Sequence, residues 1–423
     1  MHIEKNVCDS IIGMLLEIPG KNKDGIAARL DLLNMGVKTD LQPEYGKRRA
    51  RLPPGPWNLS RAEKRAVCNS FDGMKVPEGY SSNIKNLVSL QDSRLLGLKS
   101  HDCHTLMQQL LSVAIRSVLE KPASTVGVPS SQKMGLSKPL SGYTVSLVDQ
   151  DLLNQAHLYV LENTEEVLPY IEEHMIHMKT TYSKFRKRTK WLQDKHNTTF
   201  IQWLRFKVQS QLNGADNNGV LENLRCLAAG PSMAAPSYRS YLIKGIKFNT
   251  KAQDDVRAVQ NSEVYLLAHT MQVASAKDKN PIVSNMGFYG VIQDIWDLDY
   301  QKFTITVFRC DWIDSTSGLV VDEVGFTIVD LSKIGHRNDQ FVMTSQVKQV
   351  FFVDDPMHHG WSVVLSMPNR EYNDVIGDDV LGDVRIECEL FTRRMPNGDA
   401  FDEVAGESGS QNIRDGCEDI WIE

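Results

Sequence analysis

The sequence predicts an α+β protein: a helical N-terminal half, an antiparallel β domain (small barrel or sheet) in the C-terminal half, and a disordered acidic tail. Three observations predict it. Apolar residues recur at helical spacing in the first half, as in Leu106, Met107, Leu110, Leu111, Ala114, Ile115, Val118 and Leu119. From about Tyr238 short β-rich runs follow one another without intervening helices. Charge then collects at the C-terminus. Residues 1–121 hold 18 Lys/Arg and 13 Asp/Glu, residues 122–365 hold 24 and 25, and residues 366–423 hold 5 and 15, giving +5, −1 and −10. That end reads as a solvated tail; the sharper reading is a tail that competes with nucleic acid for the chain's own basic patches.

The chain is long enough for two or three domains at roughly 100–200 residues each. With 41% hydrophobic residues it can build a packed core. Its seven cysteines lie far apart and form no Cys-x-x-Cys pair, which favours reduced intracellular thiols over a disulfide framework. The short apolar run Ile11 to Leu16 does not suit a signal peptide, and no stretch approaches the ~18 apolar residues of a membrane span.

In chain order, residues 1–35 read as helical through Ile3, Val7, Ile11, Ile12, Leu15 and Leu16, with a break at Pro19-Gly20. Lys47 to Pro56 reads as an extended linker, because it holds three prolines and a glycine. Ser60-Arg61-Ala62-Glu63 is a capping box announcing a helix. Ser100 is the expected N-cap of the next one, with Asp102 in its first turn. Residues 122–147 are expected to be a linker, and residues 148–212 a helical segment. Within that segment Asn163 and Glu166 predict a capping box opening a helix toward Trp191, with Pro169 kinking its first turns. A loop is expected over residues 212–219. Strands are then expected at Tyr241–Phe248, Val264–His269, Phe288–Trp296, Phe303–Trp312, Gly325–Leu331, Phe341–Val353, Trp361–Met367 and Val384–Phe391.

Chemistry-bearing residues fall into four groups. Lys184, Arg186, Lys187, Arg188 and Lys190 form the densest basic run, interleaved with Phe185 and flanked by Trp191. Such a run suits phosphate contacts or nuclear import; its bland reading is a solvated helix end, where cations favour the C-terminal dipole. Lys47–Arg51 is a weaker candidate of the same kind. His101, Cys103 and His104 have metal-capable side chains, and His174 and His177 would complete a ligand set if the two helices met. Asp294, Asp297 and Asp299 form an acidic trio at a strand end, where turns and solvent usually account for such residues. No phosphate-binding glycine loop, nucleophile elbow or His-Glu-x-x-His motif occurs.

Several long strings resemble the plant En/Spm-type (CACTA) transposon proteins. The opening Met1-His2-Ile3-Glu4-Lys5-Asn6-Val7-Cys8 resembles the end of their transposase domain, over residues 1–50. Gly79-Tyr80-Ser81-Ser82-Asn83-Ile84-Lys85 and the Ser100–Gln109 string resemble a helical transposon-associated domain of unknown function, here residues 57–121. Residues 235–366 are similar to a second such domain. The carrying motifs are Phe248-Asn249-Thr250-Lys251, Gln260-Asn261-Ser262, Tyr289-Gly290-Val291-Ile292-Gln293-Asp294-Ile295-Trp296 and Gln349-Val350-Phe351-Phe352-Val353. Residues 367–423 are the acidic tail.

The resemblance implies a transposon-derived protein cut short at its N-terminus and shortened after Leu119. It lacks the metal-binding carboxylates of a two-metal nuclease; Glu4 alone cannot hold two cations. No catalytic or metal-binding residue and no cofactor is therefore expected. The expected partners are DNA and other transposon-encoded proteins, with no membrane and no small-molecule substrate, in the nucleus or alternatively the cytoplasm. The other readings are a host-recruited interaction module without nucleic-acid contact, and a metal-dependent transposase or nuclease whose acidic set is completed in trans. The family usually has glycine after Gln260-Asn261-Ser262, so Glu263 is expected to strain or remodel a turn at positive φ.

Overall fold

Helix α1 (His2–Leu15) turns Cys8, Ile12 and Leu15 inward at helical spacing, and the N-terminal core grows from that stripe. The structure is a computed structural model and describes residues 2–36, 39–45, 50–80, 84–119, 137–212, 222–272, 282–367 and 420–422. After α2 (Ile26–Asn34), β1 (Glu44–Tyr45) pairs with β2 (Ala50–Leu52). Part of the expected linker is thus a strand. Arg29 and Asp24 form a buried two-point ion pair at 2.5 and 2.7 Å, and Trp57 donates its indole N–H to Asp24 at 2.8 Å. The Arg29 guanidinium also lies over the Trp57 ring at 5.1 Å.

Helix α3 (Arg61–Gly73) starts at the predicted capping box. Ser60 Oγ accepts from the Glu63 N–H at 3.3 Å, and Glu63 accepts from the Ser60 N–H at 2.8 Å. A short hairpin of β3 (Val88–Ser89) and β4 (Arg94–Leu95) leads to α4 (Ser100–Thr105). Ser100 is the first helical residue and not the cap. Lys99 takes the cap position, and its N–H donates to the Asp102 carboxylate at 2.8 Å. The helix loosens into a π-helical turn over Leu106–Leu110 and resumes as α5 (Leu111–Ala114). Cys8, Ile12, Leu15, Val67, Phe71, Cys103, Leu106, Leu110 and Val113 form one core, so α1 packs with α3, α4 and α5 across the boundary expected between residues 1–50 and 57–121.

The expected 122–147 linker ends in structure: β5 (Lys138–Pro139) and β6 (Tyr143–Leu147) both join sheets. Residues 120–136 lie outside the described residues. Four helices follow: α6 (Gln150–Glu162), α7 (Leu168–Thr181), α8 (Thr189–Leu212) and α9 (Glu222–Ala229). The predicted capping box at Asn163 does not form. Asn163 instead closes α6, its amide donating back to the Tyr159 carbonyl at 2.9 Å. Pro169 sits in the first turn of α7, where its missing N–H has no helical partner to lose, so it does not kink the helix.

The C-terminal half is built of antiparallel strands, most of them in one sheet. Its strands are β7 (Ala234–Tyr238), β8 (Ser240–Ile243), β9 (Ile246–Asn249), β10 (Glu263–Gln272), β11 (Ile282–Asp299), β12 (Thr304–Ile313), β13 (Leu319–Val321), β14 (Thr327–Val329), β15 (Ile334–Gly335), β16 (Phe341–Met343), β17 (Val347–Asp354) and β18 (Ser362–Ser366), with α10 (Lys251–Asp255) between β9 and β10. The main path runs β13-β14-β18-β17-β10-β11-β12-β15. Strand β16 pairs with the outer edge of β12, while β6 and β7 continue along β11 beyond β10. Strands β8 and β9 pair in a separate sheet with β5. Gly290 faces Trp312 across β11 and β12, and a Cβ there would come within 2.6 Å of the indole. The expected strand at 384–391 and most of the acidic tail lie outside the described residues; β19 (Ile420–Ile422) pairs with β2.

Two helical layers flank this sheet. Phe200, Leu204 and Val208 of α8, with α6 and α9, pack on Trp296, Leu298, Val307 and Phe341. The N-terminal unit packs on the other end through Phe351, Val353, Val363 and Leu365. Strand β17 turns Val350 and Phe352 to a further cluster with Ile313 and Val329. Burial on both faces explains the unbroken apolar run at 350–353.

Candidate nucleic-acid interface

Helices α7 and α8 pair antiparallel: Tyr170 donates to Gln211 at 3.0 Å, and Glu173 pairs with Lys207. The basic run forms the apex of this hairpin. It does not lie on one long helix, because α7 stops at Thr181. The Tyr182 N–H closes α7 on Met178, Ser183–Phe185 make a 3₁₀ turn, and the Arg188 N–H donates to Phe185 at 2.8 Å. Helix α8 then buries Leu192, His196, Phe200, Leu204 and Val208 at four-residue spacing. Phe200 is the first of these to join the core shared with the sheet, so the apex stands roughly 16 Å beyond it at 1.5 Å per residue.

Lys184, Arg186, Lys187, Arg188 and Lys190 are all exposed, and among the described residues none is paired with a carboxylate. No acidic residue occupies the first turn of α8. The cations span the turn between the C-terminus of α7 and the N-terminus of α8, two helix ends of opposite dipole sign. Their aromatic neighbours are ordered. Phe185 and Trp191 stack with centroids 4.3 Å apart at 18°, Tyr182 meets Trp191 edge-on at 5.3 Å, and the Arg188 guanidinium lies over Phe185 at 5.4 Å. In the weaker basic candidate, Arg51 pairs with Glu44 at 3.1 Å, and residues 47–49 lie outside the described residues.

The other candidates are engaged elsewhere. His104 Nδ1 lies 2.6 Å from Glu4, and Gln108 meets its Nε2 at 2.8 Å. Cys103 is buried in contact with Cys8, and burial pushes both thiols up. These residues join α1 to α4; His174 lies in another unit and is bonded to His196, Nδ1 to Nδ1, at 2.9 Å. Sequence reasoning missed that partnership, because nothing in the spacing marks His196. Burial pushes both imidazoles down to about 4 and keeps them neutral at neutral pH. Among the described residues no three His, Cys, Asp or Glu converge to hold a metal ion. Asp294 pairs with Arg309, Asp297 accepts from Thr306 at 2.7 Å, and Asp299 accepts from the Gln301 N–H at 2.7 Å. The trio stays spread along β11.

The Gln260-Asn261-Ser262 string clamps the two halves together. Gln260 donates to the Phe352 carbonyl at 2.8 Å and to the carbonyl of Lys75, and Asn261 Oδ1 accepts from the Glu78 N–H at 3.1 Å. Asp254 receives Asn249 at 2.7 Å and the Asn261 N–H at 2.6 Å. Glu263 is not at positive φ; it is the first residue of β10, paired with Val291. Its burden is electrostatic. Burial, then the Asp254 charge, push its carboxyl up to about 7, and one oxygen has no partner.

A group with a raised folded pKa binds its proton more tightly in the native state. Stability should therefore fall as pH rises from the unfolded carboxyl value of 4.5 to about 7. Glu263→Gln removes that titration and retains an acceptor for Ser262, which bonds Glu263 at 3.0 Å. Urea unfolding should show the variant gaining on the parent by on the order of 2–3 kcal/mol between pH 5 and pH 8. A pH-independent difference would refute this account of Glu263.

A family model described as a domain of unknown function, DUF4216, matches residues 296–364. The match runs from the end of β11 into β18, inside the expected 235–366 domain, and excludes the basic apex. No curated protein and no solved structure matches the chain.

Proposed function

We propose that the chain is a transposon-derived nucleic-acid-binding protein that cuts no strand by itself, and that it works in the nucleus. The observation that carries this is the α7–α8 apex, with five exposed cations that have no carboxylate partner among the described residues. Like charges gathered this way repel one another. A phosphate backbone relieves that cost. The resemblance to transposon proteins supports the same assignment, and DNA is the partner it implies. Contacts of this kind fix position without reading sequence, so binding should be general and salt-sensitive.

Lysine acetylation of the full chain, with and without duplex DNA at low salt, tests the assignment. Lys184, Lys187 and Lys190 should be protected, while exposed Lys348 on β17 should react equally in both samples. Bound DNA that leaves the apex lysines reactive, or that protects Lys47 instead, would overturn it. Absence of binding at the lowest salt would favour a protein-interaction module.

A further inference from the structure

We propose that the apex prefers unpaired, single-stranded nucleic acid to duplex, and that Trp191 is the platform on which a base stacks. This rests on the phosphate-binding reading above and assigns the class of nucleic acid. The aromatic rings carry the inference. Arg188, Phe185 and Trp191 form a column, with 5.4 Å from guanidinium to ring and 4.3 Å from ring to ring, and Tyr182 meets Trp191 at a steep 71° with centroids 5.3 Å apart. The column stands at the protein surface: Tyr182, Phe185 and Trp191 are each half-buried, and none belongs to the core under α8. Reversing a helical hairpin does not require three rings. Here they stand among Lys184, Arg186, Lys187 and Lys190, with the backbone pinned by the turn's own hydrogen bonds.

A duplex offers such a surface its phosphates but keeps its bases stacked inside. Presenting a base to a ring on a convex tip would require unpairing it, at a cost of a few kcal/mol. A single strand offers phosphates and free π-faces together, and cations flanking aromatic platforms match that combination. Stacking on any base is possible, so the preference is for unpaired strands and not for a sequence.

The test uses the full chain and three fluorescein-labelled probes of about 16 nucleotides: oligothymidylate, an abasic oligomer of the same length, and a duplex. Oligothymidylate should bind about tenfold more tightly than the abasic oligomer, and more tightly than the duplex. Trp191→Leu should weaken oligothymidylate about tenfold and leave the abasic and duplex affinities within about twofold. Equal binding of oligothymidylate and the abasic oligomer, with the apex lysines still protected, would overturn the stacking role and leave the phosphate site standing. Tighter duplex binding would do the same. An equal loss on all three probes in Trp191→Leu would make Trp191 a support for the turn and refute the platform. If no probe binds at low salt, the phosphate-binding reading and this inference fall together.

Discussion

Replacing Arg116 with methionine is expected to cost about 3–5 kcal/mol of unfolding free energy. Arg116 follows α5 and is itself buried. Its guanidinium pairs with Asp322 at 2.7 Å and Asp355 at 3.5 Å, and lies over the Phe326 ring at 4.8 Å. The Asp355 side chain has no solvent exposure, and among the described residues its other contacts are the Met357 N–H at 3.0 Å and the His358 ring at 2.7 Å. Removing the arginine strands that carboxylate, and the penalty of an unpaired buried charge exceeds what the packing of methionine returns. Asp355→Asn added to the variant should recover part of the loss. Because Arg116 and Asp355 belong to different halves of the chain, the parent protein should unfold in one transition. A loss below about 1 kcal/mol, or two transitions in the parent, would show that the halves are not coupled this way.

The strings that drew attention in the sequence turn out to face one another. Tyr80 stacks edge-on against Phe351 at 4.7 Å and donates to Gln109 at 3.0 Å. Gln260 and Asn261 grip Lys75 and Glu78, just before Gly79. Glu4 and Cys8 meet His104 and Cys103. Their side-chain chemistry is spent on holding the fold, and no local pattern could show that, since the partners lie up to 271 positions apart in the case of Tyr80 and Phe351.

Local rules read well where the interaction is local. The Ser60 box formed, and β10, β12 and β18 fell near their expected ranges because turn residues bounded them, whereas the single strands expected at Tyr241–Phe248 and Phe341–Val353 each fold as two, split by turns at Lys244-Gly245 and at residues 344–346. They failed where two readings compete. Asn suits an N-cap and equally closes a helix, and at 163 the second use won. Tyr143–Leu147 alternates as a strand should, but its Ser-, Pro- and Gly-rich surroundings hid it. The break after Thr181 contains neither proline nor glycine; ring stacking on Trp191 accompanies it, and that is a tertiary contact. The five cations were legible as a run. Their gathering at an apex, with no acidic partner among the described residues, was not.

Replacing Lys184, Arg186, Lys187 and Arg188 together by alanine should have the other large effect. All four are exposed and leave no buried partner unpaired, so stability should change little. Each cation that neutralises a duplex phosphate adds about −0.9 to the slope of log affinity against log salt. Five contacts give a slope of about −4.5, and Lys190 alone about −0.9. Between 50 and 200 mM salt the parent should therefore lose roughly 10²–10³ in affinity, and the variant only about three- to fourfold. The variant should also lose nuclear accumulation if the run serves import. Titration of a labelled duplex with parent and variant across that salt range is the most direct measurement of whether the apex is the binding surface. A steep parent slope flattened by the four substitutions is the predicted result; equal slopes and equal affinities in the two proteins would contradict it.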